Sequence, residues 1–221
     1  RKVCYRISKP GLLMQGGDMW MADLDSGRTE PLLPGFRVIF YELAADGRLL
    51  ICALDDTGTP HPWLARLDRR SAPRQIPSGA AARVVFGPPG EFFLQANEGA
   101  QQFVFRIHED GTERRKANPE PVMEIYVASP DGRWVTGLGS VPGGGAGLAV
   151  FAYSTTGADN VRLCDPPCWV RSAPDGKFLY FSFASGYMSL GATGRTYVLP
   201  AKSGTFLPDL PPGGFRSEAD L

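Results

Sequence analysis

The chain has 221 residues, 43% of them hydrophobic, which is enough to bury a sizeable core and excludes a disordered tail. Lys plus Arg and Asp plus Glu are both 23, so the net charge is zero, which argues against nucleic acid as the main partner because phosphate binding needs concentrated positive charge. No apolar run approaches the ~18 residues of a membrane-spanning helix, so this segment is expected not to insert directly in a membrane.

The first element is a strand-like run, Arg1 to Ser8. The chain starts on Arg1, in mid-strand, and shows no leader, so it reads as a single domain over residues 1–221 excised from a longer protein. A second run, Met19 to Leu24, alternates around Trp20 and ends in the turn Asp25-Ser26-Gly27, and Thr29 to Leu33 follows as a short polar strand.

The pattern then recurs. Arg37 to Leu43 and Leu49 to Leu54 flank Ala45-Asp46-Gly47-Arg48; Trp63 to Leu67 and Ala72 to Ile76 complete the unit. Arg83 to Phe86, Phe92 to Gln95, Phe103 to Ile107 and Thr112 to Lys116 make the next, around Pro88-Pro89-Gly90-Glu91. Met123 to Ala128, Trp134 to Gly137, Leu148 to Tyr153 and Val161 to Leu163 make another, around Pro130-Asp131-Gly132-Arg133. Cys168 to Ser172, Phe178 to Phe183, Thr196 to Leu199 and Thr205 to Leu207 make the last, around Pro174-Asp175-Gly176-Lys177. The turn glycines lie 43, 42 and 44 residues apart, from 47 to 90, 132 and 176. No stretch shows helical periodicity. Four short strands per unit at this period predict an all-β chain, a β-propeller of four-stranded antiparallel blades with about five units.

The run Ser129-Pro130-Asp131-Gly132-Arg133-Trp134, its counterpart Ala173-Pro174-Asp175-Gly176-Lys177-Phe178, the strand Trp20-Met21-Ala22-Asp23-Leu24 and the turn Asp25-Ser26-Gly27-Arg28 resemble the WD-repeat-like propeller repeats of the TolB C-terminal domain. Gly87-Pro88-Pro89-Gly90 departs from the pattern by losing the Asp. Such repeats occur in periplasmic translocation proteins, in propellers of prolyl-oligopeptidase-type proteases and in the sensor regions of bacterial Ser/Thr kinases. The resemblance implies a fold and a bacterial binding or sensor module, and no particular activity.

Repeat phase leaves two arrangements open. Arg1 aligns with Arg48, and Gly214-Phe215-Arg216 with Gly35-Phe36-Arg37. A five-bladed ring closes if the C-terminal first strand pairs with the N-terminal second strand. Alternatively the chain is five units of a six- to eight-bladed ring, which the polar run Phe215 to Leu221 favours.

The turns between first and second strands and between third and fourth strands are close to minimal. The connections between second and third strands read as long and dissimilar: Ser8 to Gly17, Asp55 to Pro62, Asn97 to Gln102, Gly139 to Gly147 and Ala184 to Gly194. Function concentrates on variable loops held by a rigid scaffold. The candidate contacts for a protein or small ligand are therefore His61, Gln101, Tyr187, Met188 and Arg195, with Met14 and Gln15 beside them. His61 reads as a loop residue or a catalytic base; His108 sits near a turn at the other end. No nucleophile–base pair, Gly-x-Ser-x-Gly elbow or His-Glu-x-x-His motif is present, so no catalytic residue, metal or cofactor is expected. Pro142-Gly143-Gly144-Gly145-Ala146-Gly147 lacks the Gly-Lys-Ser/Thr ending and the following helix of a phosphate loop.

Cys4 and Cys52 fall within apolar strands, while Cys164 and Cys168 bracket Asp165-Pro166-Pro167. That pair reads either as a local disulfide, which suits an extracytoplasmic protein, or as two free thiols; a zinc site lacks further ligands at suitable spacing.

Overall fold

A computed structural model describes residues 1–8, 15–142, 147–165, 167–172, 178–183, 196–200, 207 and 210–216. Among them there are 18 strands and no helix, arranged as successive antiparallel sheets. The first sheet has the order β1 (Lys2–Ile7), β2 (Asp18–Asp23), β3 (Thr29–Pro31). The second runs β4 (Arg37–Leu43), β5 (Arg48–Leu54), β6 (Pro60–Arg66), β7 (Arg74–Gln75). The third runs β8 (Arg83–Phe86), β9 (Glu91–Glu98), β10 (Gln101–His108), β11 (Arg115–Lys116). The fourth runs β12 (Glu124–Ala128), β13 (Trp134–Ser140), β14 (Leu148–Ser154), β15 (Val161–Cys164). The fifth runs β16 (Cys168–Ser172), β17 (Phe178–Phe183), β18 (Thr196–Pro200). Strand order follows chain order in every sheet, as in propeller blades.

The chain divides into two compact units, Arg1–Val84 with Glu109–Thr112, and Val85–His108 with Glu113–Leu221. In the first, the core joins Met19 and Met21 of β2 to Leu49, Ile51 and Ala53 of β5, with Leu32, Leu33 and Val38 beside them. In the second it joins Tyr126, Val150, Leu163, Cys164, Cys168, Val170 and Phe215. The predominantly apolar second strands have both faces covered: Leu49 to Ala53 and Phe92 to Ala96, Gln95 included, are buried throughout.

The turns between first and second strands around Gly47 and Gly132 share one construction. Asp46 Oδ1 accepts the Arg48 amide (3.0 Å), while the Gly47 amide donates to the Ala44 carbonyl (3.0 Å). Asp131 Oδ1 likewise accepts the Arg133 amide (3.0 Å), and Gly132 N donates to Ser129 (2.9 Å). Gly47, Gly90 and Gly132 all have φ between +67 and +84°, so glycine is required there. The equivalent turn around Gly176 lies outside the described residues.

Gln95, buried within β9, joins the third sheet to the fourth. Its Nε2 donates to the Met123 carbonyl (2.8 Å) and to Gln102 Oε1 (2.5 Å), and its Oε1 accepts the Ile125 amide (3.0 Å).

One expectation about phase is corrected. The Leu24 amide bonds to the Arg1 carbonyl as the Leu67 amide bonds to Gly47, so pairing aligns Arg1 with Gly47, one residue from the match to Arg48. Phe215 bridges Cys164 in parallel, with its amide on the Leu163 carbonyl (3.0 Å) and its carbonyl on the Asp165 amide (2.8 Å). Phe215 is large and apolar, and it is buried in the second core.

Candidate functional site

The ends of the sheets that connect second to third strands carry the sequence-derived candidates. In the second sheet that connection is a tight turn, Asp55 to Thr59, rather than the long loop expected from Asp55 to Pro62. Asp55 builds it. Its Oδ1 accepts the Thr57 amide (2.9 Å), the Thr57 hydroxyl (2.6 Å) and the Thr59 amide (2.9 Å). The Asp55 amide reaches back to the Thr59 carbonyl (3.0 Å), and Gly58 supplies φ +84°.

Pro60, His61 and Pro62 then lie in β6 rather than in a loop. Two prolines fit because the missing N–H groups face the outer side of the strand, where β7 pairs only through Trp63↔Gln75 and Leu64↔Arg74. The proline carbonyls on that side are used: Pro62 accepts the Ile76 amide (2.9 Å) and Pro60 the Ala81 amide (3.0 Å).

His61 is half-buried, with Nε2 3.0 Å from Asp55 Oδ2 and Nδ1 buried without a hydrogen-bond partner. The Arg37 guanidinium donates to the Asp55 carbonyl. The Thr57 hydroxyl and the Thr59 amide hold the Asp55 carboxyl well below its usual range; burial opposes them and His61 adds to the effect. The result is a carboxylate–histidine pair fixed by a turn, with its imidazole oriented and its carboxylate already saturated by donors.

In the third sheet the connection is a two-residue hairpin, Gly99-Ala100, not the longer loop expected from Asn97 to Gln102. Gly99 has φ +64°, the conformation that glycine supplies at the first position of such a turn. Gln101 follows it on β10, exposed and opposite Glu98. His61 belongs to the first compact unit and Gln101 to the second. Tyr187, Met188, Arg195 and Met14 lie outside the described residues, and Gln15 is exposed.

At the opposite end of the third sheet, His108 Nε2 lies 3.4 Å from Glu113 and 3.7 Å from Glu91, which also pairs with Arg106. Among the described residues no three His, Cys, Asp or Glu side chains are grouped as a metal site. No helix among them is long and apolar enough to cross a membrane. A groove of about 260 Å³ in the first unit has Leu32, Leu33, Phe36 and Ala65 in its lining, with Arg66 and Arg69 at its side. Those arginines are engaged, Arg66 with Asp68 (3.0 Å) and Arg69 with Glu30 (3.5 Å).

Cys164 and Cys168 are disulfide-bonded, Cα to Cα 6.2 Å, and both are buried. The bond ties the end of β15 to the start of β16. Cys4 and Cys52 are free thiols; burial pushes the Cys52 thiol far up, which makes it inert.

Sequence reasoning missed two features, the Asp55–His61 pair and the Gln95 bridge. Each had a signal. Asp-x-Thr-Gly-Thr is an Asp-capped turn, and a lone Gln inside Phe92 to Ala96 must find partners if buried.

In structure the chain is similar to TolB from Acinetobacter baumannii, at TM-score 0.68 and 15% identity, over 96% of this chain and 56% of that one. It is also similar to a putative TolB from Agrobacterium tumefaciens (TM-score 0.64, 14% identity, 84% of this chain and 70% of that one). A third likeness is to the β-propeller domain of the trilobed protease from Pyrococcus furiosus, at TM-score 0.53 and 15% identity, over 89% of this chain and 62% of that one. The fold is that of a β-propeller, and the chain spans little more than half of the Acinetobacter protein. No protein-family profile and no curated sequence matches it.

Proposed function

We propose that the chain is a non-catalytic β-propeller module for binding or scaffolding, of the sensor type, engaging a protein or a small ligand through the connections between second and third strands. The carrying observation is an asymmetry between the ends of the sheets. Two of the three described turns between first and second strands repeat one Asp-Gly construction, around Asp46 and Asp131, and the third keeps its glycine, Gly90. The other end differs from blade to blade: an Asp55-capped turn with His61 in one, a two-residue Gly99-Ala100 hairpin in the next. The repeated end maintains the fold, and the variable end is free to carry specificity. The Cys164–Cys168 bond fits an oxidising, extracytoplasmic compartment. The sensor region of a bacterial Ser/Thr kinase is the finer form of this reading.

The test is affinity capture from a bacterial periplasmic extract, followed by titration of the captured partner. Tyr187→Ala and Arg195→Ala are expected to weaken binding without unfolding the chain, since aromatic and Arg side chains are the commonest interface anchors. Asp25→Ala and Asp110→Ala, at the opposite turns, are expected to leave it intact. The reverse pattern refutes the assignment.

Likeness to peptidase propellers, the trilobed protease among them, favours a second reading as the gating propeller of a hydrolase. Peptide hydrolysis by the purified chain that His61→Ala abolishes would replace the first reading with an enzymatic one.

A further inference from the structure

A groove of about 260 Å³ opens between the segment that follows β3 and the turn from β6 to β7, all within the first compact unit. Its floor is core material. Leu32 and Leu33 are at most 6% exposed, and Phe36 packs edge-on against Trp63, 5.0 Å between ring centroids. Ala65 adds to the apolar lining. Among the described residues, the charged ones in the lining are Arg66 and Arg69, with no carboxylate beside them.

The backbone at this rim is unusual. Between third and fourth strands, the first and third sheets give positive φ to Gly27 (+69°) and Gly111 (+90°). The second sheet gives it to Arg69 (+54°), a conformation that L side chains adopt rarely and that persists where the surroundings fix it. Glu113 (+53°) is the other non-glycine case among the described residues. Arg69 donates through Nη2 to the Pro31 carbonyl, and so reaches from the second sheet to the first. Arg66 donates through Nε and Nη2 to Asp68. Nη1 of Arg66, and Nε and Nη1 of Arg69, make no hydrogen bond among the described residues. Positive charge is also in excess. Asp68 is shared by Arg66 (3.0 Å) and Arg70 (3.8 Å), and Glu30 by Arg28 (3.6 Å) and Arg69 (3.5 Å). Asp46, whose charge also acts on Arg66, is paired with Arg48 (2.7 Å). Four guanidinium groups thus share two carboxylates.

We propose that this groove binds the C-terminal residue of a peptide, its apolar side chain on Leu32, Leu33 and Phe36 and its α-carboxylate on Arg66 and Arg69. A guanidinium fork matches a carboxylate in both geometry and charge. The volume decides between sources of that chemistry. It falls below the ~300–1,000 Å³ of sites that enclose a whole small molecule. It therefore admits one side chain with its carboxylate and excludes a long acyl chain. None of the lining residues belongs to the connections between second and third strands. The groove is thus a site additional to the face proposed above, and it stands or falls separately.

The test titrates the chain with the peptide acetyl-Gly-Ala-Leu, bearing a free C-terminal carboxylate, and follows backbone amide resonances by NMR. Saturable shifts are expected at Phe36 and from Arg69 to Ala72. The C-terminal amide of the same peptide loses the charge-assisted pair, and acetyl-Gly-Ala-Gly loses the apolar contact. Each should bind at least about tenfold more weakly. Arg69→Gly removes the guanidinium yet suits the positive φ, so it should weaken binding by a similar factor while the rest of the spectrum is kept. Arg74→Gln, outside the lining and paired with Glu109, should bind as the parent does. No saturable shift at the groove, equal affinity for the amide or for the Gly-ended peptide, or full affinity in Arg69→Gly overturns the proposal. So does dodecanoate binding more tightly than the peptide, which would make the groove a fatty-acid site.

Discussion

Removing the Cys164–Cys168 bond is the most direct way to ask what holds the second compact unit together. The bond closes a loop of sequence separation 4, for which the loop-entropy relation gives about 2 kcal/mol of denatured-state constraint. Both cysteines are at most 2% exposed and pack among Leu163, Val170 and Phe215, so truncation also strips core contacts. The Cys164→Ala/Cys168→Ala variant should therefore lose roughly 2–4 kcal/mol. The loss should be local. Trp134 packs against the affected core, while Trp63 packs against the core of the first unit. Urea unfolding read from variants retaining only Trp134 or only Trp63 separates the units. An earlier transition is expected from Trp134, with little shift from Trp63. Equal midpoints for both probes, or four reactive thiols in unfolded, unreduced protein, would refute the reasoning.

Gln95→Leu keeps much of the side-chain volume but leaves the Ile125 amide and the Met123 carbonyl without this partner, so it should cost about 1–3 kcal/mol in denaturant titration. Gly137→Ala places a Cβ 2.4 Å from the Glu124 carbonyl and must push β12 off β13, whereas Gly147→Ala meets nothing closer than 3.7 Å. The first should lower the thermal midpoint, and the second should leave it nearly unchanged. The Asp55 carboxyl is depressed in the fold, so its contribution is present above its ordinary value of 3.8 and is lost as pH falls through its lower folded value. Urea midpoints measured from pH 6 down into strong acid (roughly pH 2) should fall less steeply for Asp55→Asn than for the parent. Parallel curves would show that Asp55 carries no pH linkage.

The repeat was legible because its mark is stereochemical. A positive φ selects glycine wherever the turn recurs, and Gly47, Gly90 and Gly132 keep that mark even where Pro88-Pro89 replaces the usual Ala-Asp or Pro-Asp. Strand interiors are legible for a related reason: Leu49 to Ala53 and Phe92 to Leu94 are too apolar to be anything but covered on both faces. The connections were misjudged because Pro60, Pro62 and Gly99 signal a loop to any local rule. Their tolerance in strands and tight hairpins depends on which side of the strand faces a neighbour, a property of pairing and not of composition. The candidate site inherited that error. His61 stands on β6 rather than in an open loop, with an acidic partner six residues earlier, brought near by the turn that Asp55 itself builds.

Phase was the subtler failure. Matching Arg1 to Arg48 aligns two like side chains, but the hydrogen bond from Leu24 to Arg1 aligns backbones, and a one-residue shift in a strand exchanges its two faces. Under the first alignment Lys2, Cys4 and Arg6 take the places of Leu49, Ile51 and Ala53, the face of the second sheet buried against β2. Under the second, Val3, Tyr5 and Ile7 take them. Only the second alignment explains why Val3 and Ile7 are apolar yet exposed: in the next sheet their positions face a covering blade. The sequence carried the pattern, and the backbone pairing determined which face of β1 it describes.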